Sequence, residues 1–113
     1  MLFRSDLPGF AVHTTAEAAA LVRAVSPSNV RMLLDVYHVA MAGEDPMASL
    51  QACFPILAHV HVADAPGRHE PGTGNQPIAE VLRALERMGY QGFVGLEYEP
   101  AAGTDRGLAW MKR

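Results

Sequence analysis

Three stretches of this 113-residue sequence end in side chains suited to proton transfer and metal ligation. Asp35 closes the apolar run Val30–Asp35, and His38 follows three residues later. His61 and Asp64 belong to His59–Asp64, with Arg68 and His69 close behind. Glu97 lies near the end of Gly92–Tyr98, and Glu99 follows it. Carboxylates mixed with imidazole bind Mn²⁺, Mg²⁺, Co²⁺ or Zn²⁺. Each residue also has a plainer use. An Asp at a strand end often caps a helix or shapes a turn, and a His in an apolar strand is often a hydrogen-bonded core residue. Glu97 sits among apolar neighbours, where an unpaired carboxylate would cost several kcal/mol. Its plain alternative is an ion pair with a buried Arg. Asp, His and Glu at the ends of three successive apolar runs point jointly to a metal site. Cys53 and Trp110, by contrast, read as packing residues.

The positioning elements can be read from local signals. Residues 1–13 are expected to form a loop, with Pro8-Gly9 as a turn. Thr14 and Glu17 have capping-box spacing, which starts a helix running to about Val25; Ser26-Pro27-Ser28-Asn29 stops it. Val30–Asp35 is nearly continuous in apolarity, as suits a strand buried on both faces. Asp45-Pro46 opens a second helix carrying Met47, Leu50, Phe54 and Leu57, limited by Pro55. His59–Asp64 is the second strand, although its alternation also permits an antiparallel arrangement. Residues 65–76 form a long Gly/Pro loop, of the kind that is usually functional or disordered. Residues 77–88 form an amphipathic helix with Ile78, Val81, Leu82, Leu85 and Met88 on one side, closed by Gly89. Gly92–Tyr98 is the third strand, and Arg106–Lys112 a short terminal helix. Helices alternating with strands predict parallel strands joined by right-handed crossovers. Ligands bind at the C-terminal ends of such strands, where the candidate residues fall.

Composition narrows the function classes. Half of the residues are hydrophobic and 19% are charged, enough apolar content for a core. Nine Lys/Arg against 12 Asp/Glu leave a net charge of −3, so no basic surface is available for nucleic acid. The apolar runs are too short to cross a bilayer. No secretory signal is visible, and the one cysteine excludes an internal disulfide framework. The expected location is therefore the cytoplasm.

Leu34-Asp35-Val36-Tyr37-His38, the stretch His59–Gly74 and the stretch Met88–Tyr98 together resemble the hydroxypyruvate isomerase family, whose members are xylose-isomerase-like TIM barrels. Asp6-Leu7-Pro8-Gly9-Phe10 and Thr14-Thr15-Ala16-Glu17-Ala18 extend the likeness over nearly the whole chain. Pro66-Gly67-Arg68-His69-Glu70-Pro71 is its most specific element. The resemblance implies an α/β fold, a partial (β/α)8 barrel of about three parallel strands with flanking helices, with residues 1–113 as its C-terminal portion. It implies one divalent metal, held by Asp35, His61 and Glu97. Glu97 would also act as acid/base, while His38 and Arg68 would contact substrate. The implied reaction interconverts an aldehyde and a ketone of a small hydroxy-acid, hydroxypyruvate and tartronate semialdehyde being the type. His61 stands where close hydroxypyruvate isomerases often carry Gln, which leans towards sugar epimerases and isomerases. Asn75-Gln76 follow Gly74 where the family usually has Gly-Glu. Nothing in Met1–His13 matches the Glu that a preceding strand supplies as a further metal ligand and second acid/base. The chain is thus expected to be inactive alone, and to associate with copies of itself or with a complementing N-terminal piece. A non-catalytic metal-binding remnant is the alternative from a different class.

Overall fold

The computed structural model describes residues 9–25 and 28–112, so the turn expected at Pro8 and the start of the stop at Ser26-Pro27 fall outside the described residues. Thr14 opens the first helix, α1 (Thr15–Ala24), as its spacing predicts: its Oγ accepts from the Glu17 N–H at 3.1 Å, and Glu17 Oε2 accepts from the Thr14 N–H at 3.1 Å. Strand β1 (Met32–Asp35) follows, shorter than the expected Val30–Asp35. Asp35 then starts a helix that the sequence reading missed, α2 (Val36–Met41). Its Oδ1 accepts from the backbone N–H groups of Tyr37 at 3.0 Å and His38 at 3.3 Å, so the strand passes directly into a helix. Asp45 caps α3 (Pro46–Cys53) through Met47 N–H at 2.9 Å. Pro55 falls in the 3₁₀ turn Phe54–Ile56 that ends this helical stretch.

Strand β2 (Leu57–Val62), helix α4 (Ile78–Arg87) and strand β3 (Val94–Leu96) complete the sheet. β2 begins and ends two residues ahead of the expected His59–Asp64. β3 is only three residues long, against the expected Gly92–Tyr98. Gly89, at φ +77°, closes α4 in the left-handed conformation foreseen for it. The terminal helix starts earlier than expected, as α5 (Thr104–Gly107), and continues as the 3₁₀ turn Ala109–Met111. This segment is tied to the sheet end: the Tyr98 hydroxyl donates to the Gly107 carbonyl at 2.6 Å, and Trp110 Nε1 donates to the Tyr98 hydroxyl at 3.2 Å.

Both strand pairs are parallel, in the order β1-β2-β3, which removes the antiparallel alternative for the second strand. The register sets Asp35 beside His61 and His61 beside Gly95. One face of the sheet carries Leu34, Val60 and Val62, fully buried with Val36, Val39, Leu50, Cys53, Val81 and Leu85 from the helices. Side chains alternate across a strand, so Leu33, Asp35, His59 and His61 share the opposite face. Cys53 is in the core as expected, and burial pushes its thiol up to about 11. Among the described residues the architecture is three parallel strands flanked by helices, an incomplete sheet consistent with part of a TIM barrel. Among the described residues no helix is long and apolar enough to cross a membrane.

Candidate metal centre

Asp35, His61 and Glu97 come together at the C-terminal ends of the three strands, each offering one ligand atom within 4.8 Å of the others. His61 Nδ1 lies 3.3 Å from Glu97 Oε2 and 3.9 Å from Asp35 Oδ2. Parallel pairing produces this convergence, because it aligns three strand ends on one level. The Asp35 side chain is buried, with Oδ1 spent on capping α2 and Oδ2 turned towards the histidines. Glu97 departs from expectation. Its side chain is 51% exposed, because β3 stops at Leu96 and Glu97 lies just beyond the sheet. Glu97 is therefore not the buried carboxylate expected, and water reaches it. An ion pair does form, but with a partly exposed arginine in place of the buried one expected: an Arg68 guanidinium nitrogen lies 3.2 Å from Glu97 Oε2.

The two carboxylates are electrostatically unequal. Burial, reinforced by the neighbouring Glu97 carboxylate, pushes Asp35 up to about 6 despite its backbone hydrogen bond from His38 and the nearby His61. Burial also acts to raise Glu97, but a hydrogen bond with Asp35, together with His61 and Arg68, outweighs it and holds the Glu97 carboxyl below its ordinary value. Two carboxylates and an imidazole crowded this way form a donor set for a hard or borderline divalent cation. Such a cation would supply opposite charge to the buried Asp35 carboxylate and its Glu97 neighbour, so the residues present fit the group that the sequence implied.

His38 and Arg68 reach the same region by different routes. His38 is buried on α2, its Nε2 4.0 Å from Asp35 Oδ2 and its ring 5.1 Å from that of Tyr37. Arg68 is partly exposed and lies over the Tyr37 ring, 4.9 Å from its centroid. Its backbone takes the unusual φ of 57°. Asp64, a polar group at the end of the second apolar run, serves the loop rather than the centre. It is buried and accepts from the N–H groups of Ala65 at 3.0 Å, Gln76 at 3.0 Å and Gly72 at 2.8 Å. A Cβ on Gly74 would stand 2.1 Å from the Ala65 carbonyl oxygen, so only glycine fits where this loop folds back. His69 Nδ1 donates to the Glu99 carbonyl at 2.6 Å, and Glu70 Oε2 accepts from Ala101 N–H at 2.9 Å, joining the loop to the segment after β3.

Sequence reasoning passed over Tyr37, His59 and Gly95 at this site. The His-x-His alternation in β2 was the available signal for His59, because it puts both rings on one face. Nothing local marked Tyr37 or Gly95.

Comparison with known proteins identifies the family and the fold. The family described as xylose isomerase-like TIM barrel matches residues 6–113. The 2-oxo-tetronate isomerase of Cupriavidus necator is 31% identical over 107 residues, covering 95% of this chain and 41% of that protein. The hydroxypyruvate isomerase of Escherichia coli is 33% identical over 106 residues, covering 94% of this chain and 41% of that protein. The chain thus spans about two fifths of the length of these relatives. A crystal structure from Brucella melitensis, described as an AP endonuclease of family 2, superposes with a TM-score of 0.92 at 35% identity, over 98% of this chain and 43% of that one. A D-psicose 3-epimerase from Clostridium cellulolyticum, solved with D-tagatose, superposes with a TM-score of 0.75 at 25% identity, over 97% of this chain and 38% of that one.

Proposed function

The chain belongs to the xylose isomerase-like TIM barrel family, and on that premise we propose that it forms the metal-binding part of an isomerase acting on a small hydroxy-acid of the hydroxypyruvate/tartronate semialdehyde type. The carrying observation is the convergence of Asp35, His61 and Glu97 within 4.8 Å at three parallel strand ends. Asp35, His61 and Glu97 would hold a divalent cation, which when bound supplies positive charge to the substrate's carbonyl and hydroxyl oxygens. Glu97 removes the proton alpha to the carbonyl, the second carboxylate of the pair delivers a proton to the neighbouring carbon, and the hydroxyl proton passes to the former carbonyl oxygen, exchanging aldehyde and ketone. Its exposure leaves Glu97 reachable by substrate, and its carboxyl, held below the ordinary value, is a carboxylate at neutral pH. Arg68 holds Glu97 and directs the substrate's carboxylate end. His38, although buried behind Asp35, is assigned to substrate by the family resemblance.

Glu97 is half of a proton-transfer pair. The second carboxylate comes from a strand outside this one sheet, so the 113-residue chain turns over no substrate alone and works with copies of itself or with a complementing N-terminal piece. Its buried, unpaired cysteine suits a cytoplasmic protein. The test is Mn²⁺ titration together with an aldehyde–ketone isomerisation assay. Stoichiometric binding without turnover by the isolated chain is expected. Failure to bind Mn²⁺, Mg²⁺, Co²⁺ or Zn²⁺ would remove the proposal's basis, and robust turnover would overturn the inactive-alone part. A second reading, a sugar epimerase or isomerase, is favoured by His61 itself; a substrate panel offered to the completed protein separates the two. A DNA substrate is disfavoured, despite the Brucella protein's description, by the net charge of −3.

A further inference from the structure

His59 and His61 lie two residues apart on β2 and share the sheet face that bears the metal triad. Their rings meet edge to face, with centroids 4.8 Å apart and planes at 86°. Across the strand pair, His61 sits beside Gly95. A Cβ on Gly95 would stand 2.6 Å from His61 Cδ2, 3.0 Å from His61 Nε2 and 3.1 Å from His59 Nε2. The two rings therefore occupy the volume that any side chain at position 95 would need. Glycine weakens a strand interior unless another group must approach the backbone closely, and here that group is an imidazole pair. With its Cδ2–Nε2 edge seated over Gly95, His61 turns Nδ1 towards Glu97 and Asp35, at 3.3 and 3.9 Å.

We infer that His59 and Gly95 are positioning residues for His61: the His59 ring braces the imidazole at right angles, and the bare Gly95 backbone supplies the space that lets Nδ1 face the two carboxylates. This rests on the reading of Asp35, His61 and Glu97 as a metal centre. His59 and Gly95 act only through His61. Groups that orient a metal-ligating histidine affect metal affinity without touching the metal. The orientation also has a signature in the metal-free protein. The ring nitrogen that carries the hydrogen is set by its partners. Facing carboxylate oxygen, Nδ1 of neutral His61 carries the hydrogen, whereas an unconstrained imidazole prefers it on Nε2.

The full chain and its His59→Ala, His59→Phe and Gly95→Ala variants are compared by ¹⁵N chemical shifts of the His61 ring without metal, and by Mn²⁺ titration, with circular dichroism to confirm folding. In the parent chain His61 is expected in the Nδ1–H form. His59→Ala and Gly95→Ala should shift it towards Nε2–H and weaken Mn²⁺ binding by about 10–100-fold. His59→Phe, which keeps a bracing ring, should restore both. If Gly95→Ala does not fold, the two His59 variants decide. An unchanged His61 tautomer in His59→Ala overturns the inference; unchanged Mn²⁺ affinity in that variant overturns it while leaving the metal reading standing. A parent chain that binds no Mn²⁺ but shows the tautomer shift retires the metal reading and supports the bracing.

Discussion

Asp35 performs two jobs that a single substitution can separate. Oδ1 caps α2, a task that Asn also performs, while Oδ2 faces His61 as a negatively charged group kept largely from water. Because burial raises this carboxyl from its ordinary value to about 6, the metal-free native chain binds more protons than the unfolded chain between roughly those two values. Stability from this group therefore falls as pH rises through that window. Asp35→Asn should remove the slope and raise the melting temperature of the metal-free chain at pH 8, while abolishing Mn²⁺ binding; thermal scans at pH 4 and pH 8 with and without Mn²⁺ check both. Arg68 presents the reverse balance. Its pair with the half-exposed Glu97 contributes no more than about 1 kcal/mol to stability. Arg68→Ala should leave the unfolding midpoint nearly unchanged but move the Glu97 carboxyl back up, read by its ¹³C shift against pH.

At the level of elements, the loop after β2 is built like a small core of polar contacts. Asp64→Ala leaves three backbone N–H groups without their carboxylate, in a place where Asp64 is 2% exposed. The expected loss is at least about 2 kcal/mol by urea unfolding. Gly74→Ala, forced against the Ala65 carbonyl, should cost about 1–3 kcal/mol by the same measurement. These contacts hold the loop, and Arg68 with it, although it lacks regular structure. The long loop itself was legible in the sequence, through its Gly, Pro and charged residues. Asp64's part in it was not, because its three partners lie one, eight and 12 residues away and only the folded loop assembles them. α2 was missed for a related reason: a helix of six residues has too little periodicity to declare itself.

For the whole molecule, the outer edges of β1 and β3 have no strand beside them among the described residues. Phe93, immediately before β3, is 85% exposed, and Phe10 and Leu21 line an apolar groove of about 450 Å³ with Met32 of β1. Open parallel edges flanked by apolar side chains favour association. The isolated chain should therefore show a concentration-dependent molar mass in sedimentation equilibrium, reduced by Phe93→Lys; a monomer at every concentration, in both proteins, would contradict this.

The alternation of helix and strand, the helix starts at Thr14 and Asp45, and the placing of Asp35, His61 and Glu97 near strand ends were all readable along the chain, because each depends on neighbours a few residues apart. The convergence of the triad depends instead on pairings across the sheet, Asp35 with His61 and His61 with Gly95, which packing of the helices against the other face holds in register. The same long-range geometry leaves Glu97 half in solvent with Arg68, buries Asp35, and lays two imidazoles over a glycine. Local patterns choose which residues are carried to the strand ends; parallel pairing puts them within reach of one another.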